Sequence, residues 1–126
     1  MPITYKIDRG KNLIFETWTG EIRLEDLAVY WRQYLADAEV LKIRRTIVDL
    51  SSSVINFSGD DLWSLIESLV MPALKGREWT TALVVTGGSV EFGVSRQYQV
   101  FAGRYSKDAI FATLAEAEKW ICSQGG

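Results

Sequence analysis

The stretch from Arg44 to Gly59 limits the possible fold more than any other part of the chain. Two arginines lead into Thr46, Ile47 and Val48, and then Asp49 and the serines Ser51, Ser52 and Ser53 end the apolar pattern. Ile47, Val48 and Leu50 suit extended backbone, whereas Ser and Asp bond to nearby amides and suit turns and caps. The pattern predicts a buried strand over Arg45–Leu50 that opens into a polar loop at its carboxyl end. Open α/β sheets place ligand or switch chemistry at such ends.

The flanking sequence supplies the rest of a sheet. Ile3, Tyr5 and Ile7 alternate with polar residues, the period of a half-buried edge strand, and Arg9–Asn12 is turn material before a returning strand over Leu13–Thr19. Leu24, Leu27, Trp31 and Leu35 recur at helical spacing, which predicts a helix over Leu24–Asp37. After the serine-rich loop, Ser58 reads as the N-cap of a helix, with Asp60 and Asp61 at the positive end of its dipole. Pro72 is expected to kink or end that helix near Val70 or Met71. Thr80–Thr86 is a near-continuous run of β-formers, as in the middle of a parallel sheet, and Gly87-Gly88-Ser89 turns into a third helix over Val90–Tyr105. A short strand over Asp108–Ala112 and a last helix opened by the capping box Thr113–Glu116 complete the chain.

The predicted order is β-β-α-β-α-β-α-β-α, in which strands two to five run parallel with right-handed crossovers. If they stack in sequence, all four helices fall on one face and Ala82–Val85 leaves apolar side chains uncovered on the other. Either a helix crosses over or a second subunit covers that face, which argues for a homodimer. No linker, repeat or biased segment divides the 126 residues, so residues 1–126 are read as a single domain.

Composition narrows the chemistry. There is no histidine, which removes Ser-His and Cys-His nucleophile pairs and histidine metal sites, and no metal or other cofactor is expected. The one cysteine, Cys122, cannot form an intramolecular disulfide and is expected to pack as a small hydrophobe beside Trp120 and Ile121. A net charge of −2 without a basic stripe argues against nucleic acid. No apolar run reaches the length of a membrane span, and no signal pattern opens the chain, so the expected location is cytoplasmic. The paired acids Glu25-Asp26 and Asp60-Asp61 each fall in a helix first turn, where negative charge suits the dipole, and imply no acid–base catalysis. The expectation is a protein that is not an enzyme.

Three stretches resemble a known family. The strand end Val48-Asp49-Leu50-Ser51, the segment Gly20–Leu27 and the strand–helix segment Ile110–Ile121 are similar to SpoIIAA-like proteins, small bacterial relatives of the STAS domain of anti-sigma-factor antagonists. The resemblance implies a SpoIIAA-like (STAS-like) mixed, mostly parallel five-stranded sheet with an N-terminal hairpin and about four helices. It also implies a non-catalytic regulatory module with a protein partner. In the antagonists the loop after this strand carries Asp-Ser-Ser-Gly, whose second serine is phosphorylated. Here Ser58-Gly59 matches the end of that motif, while Asn56 and Phe57 replace its first two residues. Ser58 is therefore open to two roles, an ordinary N-cap or a phosphorylated switch. The expected working edge comprises Asp49, Ser51, Ser52, Ser53, Ser58, Gly59, Gly87 and Gly88. CRAL-TRIO folds, which the family resembles in topology, hold lipids. The alternative function is accordingly a carrier or sensor of a small apolar ligand, with Phe57, Trp63 and Trp79 lining its pocket.

Overall fold

The computed structural model describes residues 2–85, 94, 96 and 106–124. The elements in chain order are β1 (Ile3–Asp8), β2 (Leu13–Arg23), α1 (Leu24–Tyr34), α2 (Ala38–Ile43), β3 (Arg45–Asn56), α3 (Gly59–Leu65), a π-helical turn (Ile66–Val70), α4 (Met71–Leu74), β4 (Trp79–Val84), β5 (Ser106–Phe111) and α5 (Leu114–Ser123). The five strands form one sheet in the order β1-β2-β3-β4-β5. Only the β1–β2 pair is antiparallel, and the other three pairs are parallel. The hairpin turn is closed by Asn12 at φ 54° and by the Lys11 amide, which donates to Asp8 Oδ1 at 3.0 Å. The helix expected over Val90–Tyr105 and the glycines Gly87 and Gly88 lie outside the described residues.

Several boundaries differ from the sequence expectation for identifiable reasons. The first helix stops at Tyr34 because Asp37 starts a separate one, its Oδ1 accepting the Glu39 amide at 2.9 Å. Pro72 does not end the third helical segment, which runs on to Leu74. The backbone widens into the π turn over Ile66–Val70 and restarts as α4 with Pro72 in its first turn, where a missing amide donor is tolerated.

The largest difference lies in β3. The expected loop over Ser51–Ser58 is strand as far as Asn56, because β2 runs four residues past Thr19 and gives it a pairing edge. Register passes from Thr17↔Asp49 to Thr19↔Ser52, so Trp18 faces two residues of β3, a β-bulge. Asp49 holds the bulge: its Oδ1 accepts the Ser51 amide at 3.0 Å and the Ser51 hydroxyl at 2.6 Å. The extra residue shifts the alternation of side chains by one. Ser53 and Ile55 turn towards the helices, and Val54 is left 61 % exposed.

The sheet is covered on both faces. Ile14, Trp18, Val48, Leu50, Trp79 and Leu83 belong to the larger core, together with Leu27, Tyr30, Trp31 and Tyr34 of α1 and Leu62, Ile66, Val70 and Leu74 of α3–α4. On the opposite face Leu13, Ile47, Ala82 and Val84 pack against Ala117 and Ile121 of α5. The run over Ala82–Val85 is therefore covered within the chain by a crossing helix, and the argument for a second subunit drawn from that face does not hold. Cys122 points away from this core and is exposed, because the buried stripe of α5 runs through Ala117 and Ile121 instead.

Arg45 locks the two-sided arrangement at one end. Its guanidinium donates to the Ile121 carbonyl at 2.7 Å, at the end of α5, and to the Asn12 carbonyl at 3.2 Å in the hairpin turn. Carbonyls in the last turn of a helix lack intrahelical donors, so a half-buried cation there is stabilising. Replacing Arg45 by Ala is expected to cost about 2 kcal/mol in urea unfolding. Arg45→Lys should restore less than half of that, because one ammonium does not span both carbonyls.

Candidate functional site

Strand alternation builds the site. Ile14, Glu16 and Trp18 occupy successive inward positions of β2, so a carboxylate is placed between two large apolar groups facing α1. Glu16 is only 5 % exposed. Its Oε2 accepts the Trp18 indole N–H at 2.7 Å, and its Oε1 accepts the Tyr30 hydroxyl at 2.7 Å. Burial pushes the Glu16 carboxyl up to about 7, and the two donors restrain the rise.

A second polar group lies on the same face. Thr46 Oγ1 accepts the Trp79 indole N–H at 3.1 Å and shares a 2.7 Å hydrogen bond with the Tyr34 hydroxyl. Tyr34 stacks on Tyr30 with ring centroids 5.1 Å apart, meets Tyr5 edge-on at 5.0 Å, and approaches Trp79 at 5.9 Å. Burial raises the Tyr30 and Tyr34 hydroxyls far above the usual tyrosine range. Both hydroxyls are neutral and neither is an activated nucleophile. Tyr5 lies nearer the surface, where burial and its 2.6 Å bond to Asp37 push its hydroxyl up to about 12. A second acid, the half-buried Asp108 of β5, is pushed up to about 7 by desolvation and is restrained by bonds from Ser106 and Thr81.

Between the sheet and the α1 and α3–α4 helices is a cavity of about 80 Å³, walled mainly by apolar groups. Its lining includes Glu16, Trp18, Trp31, Tyr34, Thr46, Phe57, Leu62 and Trp79. Of the three residues expected to line a pocket, Phe57 and Trp79 do so. Trp63 is half-buried on α3 and is not part of the lining. Among the described residues no group of three or more acidic or cysteine side chains converges as metal ligands would.

The expected working edge is distributed differently from the sequence reading. Asp49 and Ser51 are joined at the bulge, and Ser52 is exposed beside them. Ser53 is turned inward, its hydroxyl donating to the Leu50 carbonyl at 2.8 Å. Ser58 is exposed at the start of α3, its Oγ accepting the Asp61 amide at 3.1 Å, and Gly59 is buried behind it. Gly87 and Gly88 are outside the described residues.

Sequence reasoning missed Glu16, Trp18, Trp31, Tyr34 and Thr46 as one site. The signal was available for Glu16. In the alternation Ile14-Phe15-Glu16-Thr17-Trp18 the carboxylate occupies the register of its apolar neighbours, where a solvated residue would break the pattern.

No protein-family model matches the chain, and no curated protein matches it. Solved structures do. An uncharacterised protein of the DUF3478 family with a SpoIIAA-like fold, from Shewanella loihica PV-4, matches with a TM-score of 0.63 at 18 % identity, over 95 % of this chain and 93 % of that one. An anti-sigma factor antagonist from Mycobacterium paratuberculosis matches with a TM-score of 0.59 at 18 % identity, over 94 % of this chain and 93 % of that one.

Proposed function

We propose that this chain, whose fold is SpoIIAA-like, is a non-catalytic regulatory module that binds a protein partner at the carboxyl end of β3 and the start of α3. The observation that carries the reading is the likeness, over 94 % of the chain, to an anti-sigma factor antagonist. The local surface is compatible with it. Ser51, Ser52, Val54, Asn56 and Ser58 are all exposed there, giving a polar strip around one apolar side chain. A phosphoryl group on Ser58 would meet the amides of the first turn of α3 and the positive end of its dipole. Asp60 and Asp61 would oppose it at close range.

The direct test is binding to the anti-sigma factors of the source bacterium, using the native chain, Ser58→Ala and Ser58→Glu. The native chain and Ser58→Ala should bind alike, while Ser58→Glu should bind at least about tenfold more weakly, as a charge added within the contact requires. Ser58→Ala should also lose about 1 kcal/mol of folding stability through the missing cap. If no anti-sigma factor binds the native chain, the reading fails.

The cavity favours a second reading, a sensor or carrier of a small ligand. Its apolar walls and the polar groups converging on it from Glu16 and Thr46 are the ordinary make-up of a small-molecule site.

A further inference from the structure

The chemistry of the cavity says more than that a ligand fits. Glu16 contributes to its wall, and both of its hydrogen-bond partners, the Trp18 indole and the Tyr30 hydroxyl, are neutral. Among the described residues the ion pairs are Arg9–Glu39, Lys11–Glu118 and Arg23–Glu21, so no lysine or arginine neutralises Glu16. A glutamine would accept from an indole and pair with a hydroxyl equally well. Once ionised, the carboxylate is a charge with no counter-charge among the described residues, and burying one uncompensated is costly. Each of its oxygens takes one of these bonds, which leaves lone pairs for another donor.

The remaining walls suit the same partner. Trp18, Trp31, Tyr34, Phe57 and Trp79 surround the space with aromatic surface, and ring faces attract a desolvated cation. An anion would be repelled by Glu16. A neutral hydrocarbon would leave the buried charge unpaired. The volume of about 80 Å³ suits an ammonium group with short alkyl substituents.

We propose that this cavity binds a small organic cation, an alkylated ammonium whose charge pairs with the Glu16 carboxylate and whose carbon surface packs against the surrounding rings. The inference rests on the small-ligand reading above and is independent of Ser58 and the protein-binding surface.

Tryptophan fluorescence reports on the site directly, since Trp18, Trp31 and Trp79 form its walls. The native chain is titrated at about pH 8, where the Glu16 carboxyl is largely ionised. The probes are tetramethylammonium, isobutylammonium, isobutanol and isobutyrate. Saturable binding of both cations is expected, with isobutanol at least about tenfold weaker than isobutylammonium and isobutyrate weaker still. Glu16→Gln should weaken the cations by about tenfold and leave isobutanol unchanged. Isobutanol or isobutyrate binding as tightly as isobutylammonium to the native chain would overturn the cation assignment and leave a small-ligand pocket standing. Absence of saturable binding by all four would overturn both. The comparison among probes on the native chain decides the matter even if the variant does not fold.

Discussion

The folded chain is expected to lose stability as pH rises from about 5 to about 8, the reverse of the usual behaviour of paired carboxylates. Two acids are responsible, the buried Glu16 and the half-buried Asp108. Glu16 rises from 4.5 to about 7 on folding, and Asp108 rises from 3.8 to about 7, in each case chiefly because burial penalises the charged form. Between the unfolded and folded values the folded state holds protons that the unfolded state has released. The stability these groups allow is therefore complete below about pH 4 and declines as pH climbs to about 7. At about 1.4 kcal/mol for every pH unit between the two values, Glu16 accounts for up to about 3.5 kcal/mol and Asp108 for up to about 4.5 kcal/mol. Asp37 works in the opposite sense, its carboxyl being lowered by the Tyr5 hydroxyl, but it is solvated and contributes little.

Glu16→Gln isolates one of the two acids. The amide oxygen keeps the bond from Trp18, and the amide nitrogen can donate to the Tyr30 hydroxyl oxygen. Urea unfolding should find the variant close to the native chain at about pH 5 and more stable by about 2 kcal/mol at about pH 8. Equal destabilisation at both values would mean that Glu16 is ionised throughout and that its two donors, not burial, govern its proton. The same carboxylate thus lowers stability near neutral pH while providing the one charged group among the described residues that line the cavity. Functional sites often carry such a cost.

The second large effect is expected on the other side of the sheet. Ile121 is fully buried among Leu13, Ile47, Ala82 and Val84, in a core where α5 is the helical partner. Ile121→Ala should cost about 3 to 4 kcal/mol, near the upper part of the range for such truncations, because a backbone fixed by Arg45 and by the Lys11–Glu118 ion pair is poorly placed to collapse into the void. The check is the midpoint of urea unfolding with an unchanged denaturant slope. A loss under about 1 kcal/mol would mean that α5 rests loosely on the sheet and that the covered face owes little to it.

The alternating hydrophobic pattern made the strands legible in the sequence, because a period of two and a near-continuous β-former run are both local signals, and the helices expected between strands implied their parallel pairing. Ser58 as an N-cap was legible for the same reason. What escaped detection depends on partners distant in sequence. The strand over Ser51–Asn56 exists because β2 continues past Gly20, which adopts φ 72° within the strand, and no local feature of three serines announces that neighbour. The crossing of α5 to the far face was one of two options the strand order left open, and the packing of Ala117 and Ile121 decides between them. The cavity joins β2, β3, β4 and three helical segments, so Phe57 and Trp79 could be identified as aromatics near the central strand while Glu16 passed as an ordinary strand residue. Trp63 is not in the lining of this cavity, and aromatic identity alone carries no direction that would have told it apart from Phe57 and Trp79.

The bulge opposite Trp18 works like a one-letter frameshift in a message read two letters at a time. Before Asp49 the even-numbered residues of β3 face α1 and α3, and after Ser52 the odd-numbered ones do. A related sequence superimposed on this one by hydrophobic alternation alone will match inside with outside beyond that step unless it carries the same offset. In β3 the count of residues between Asp49 and Ile55, more than their identity, determines which side chains the helices meet.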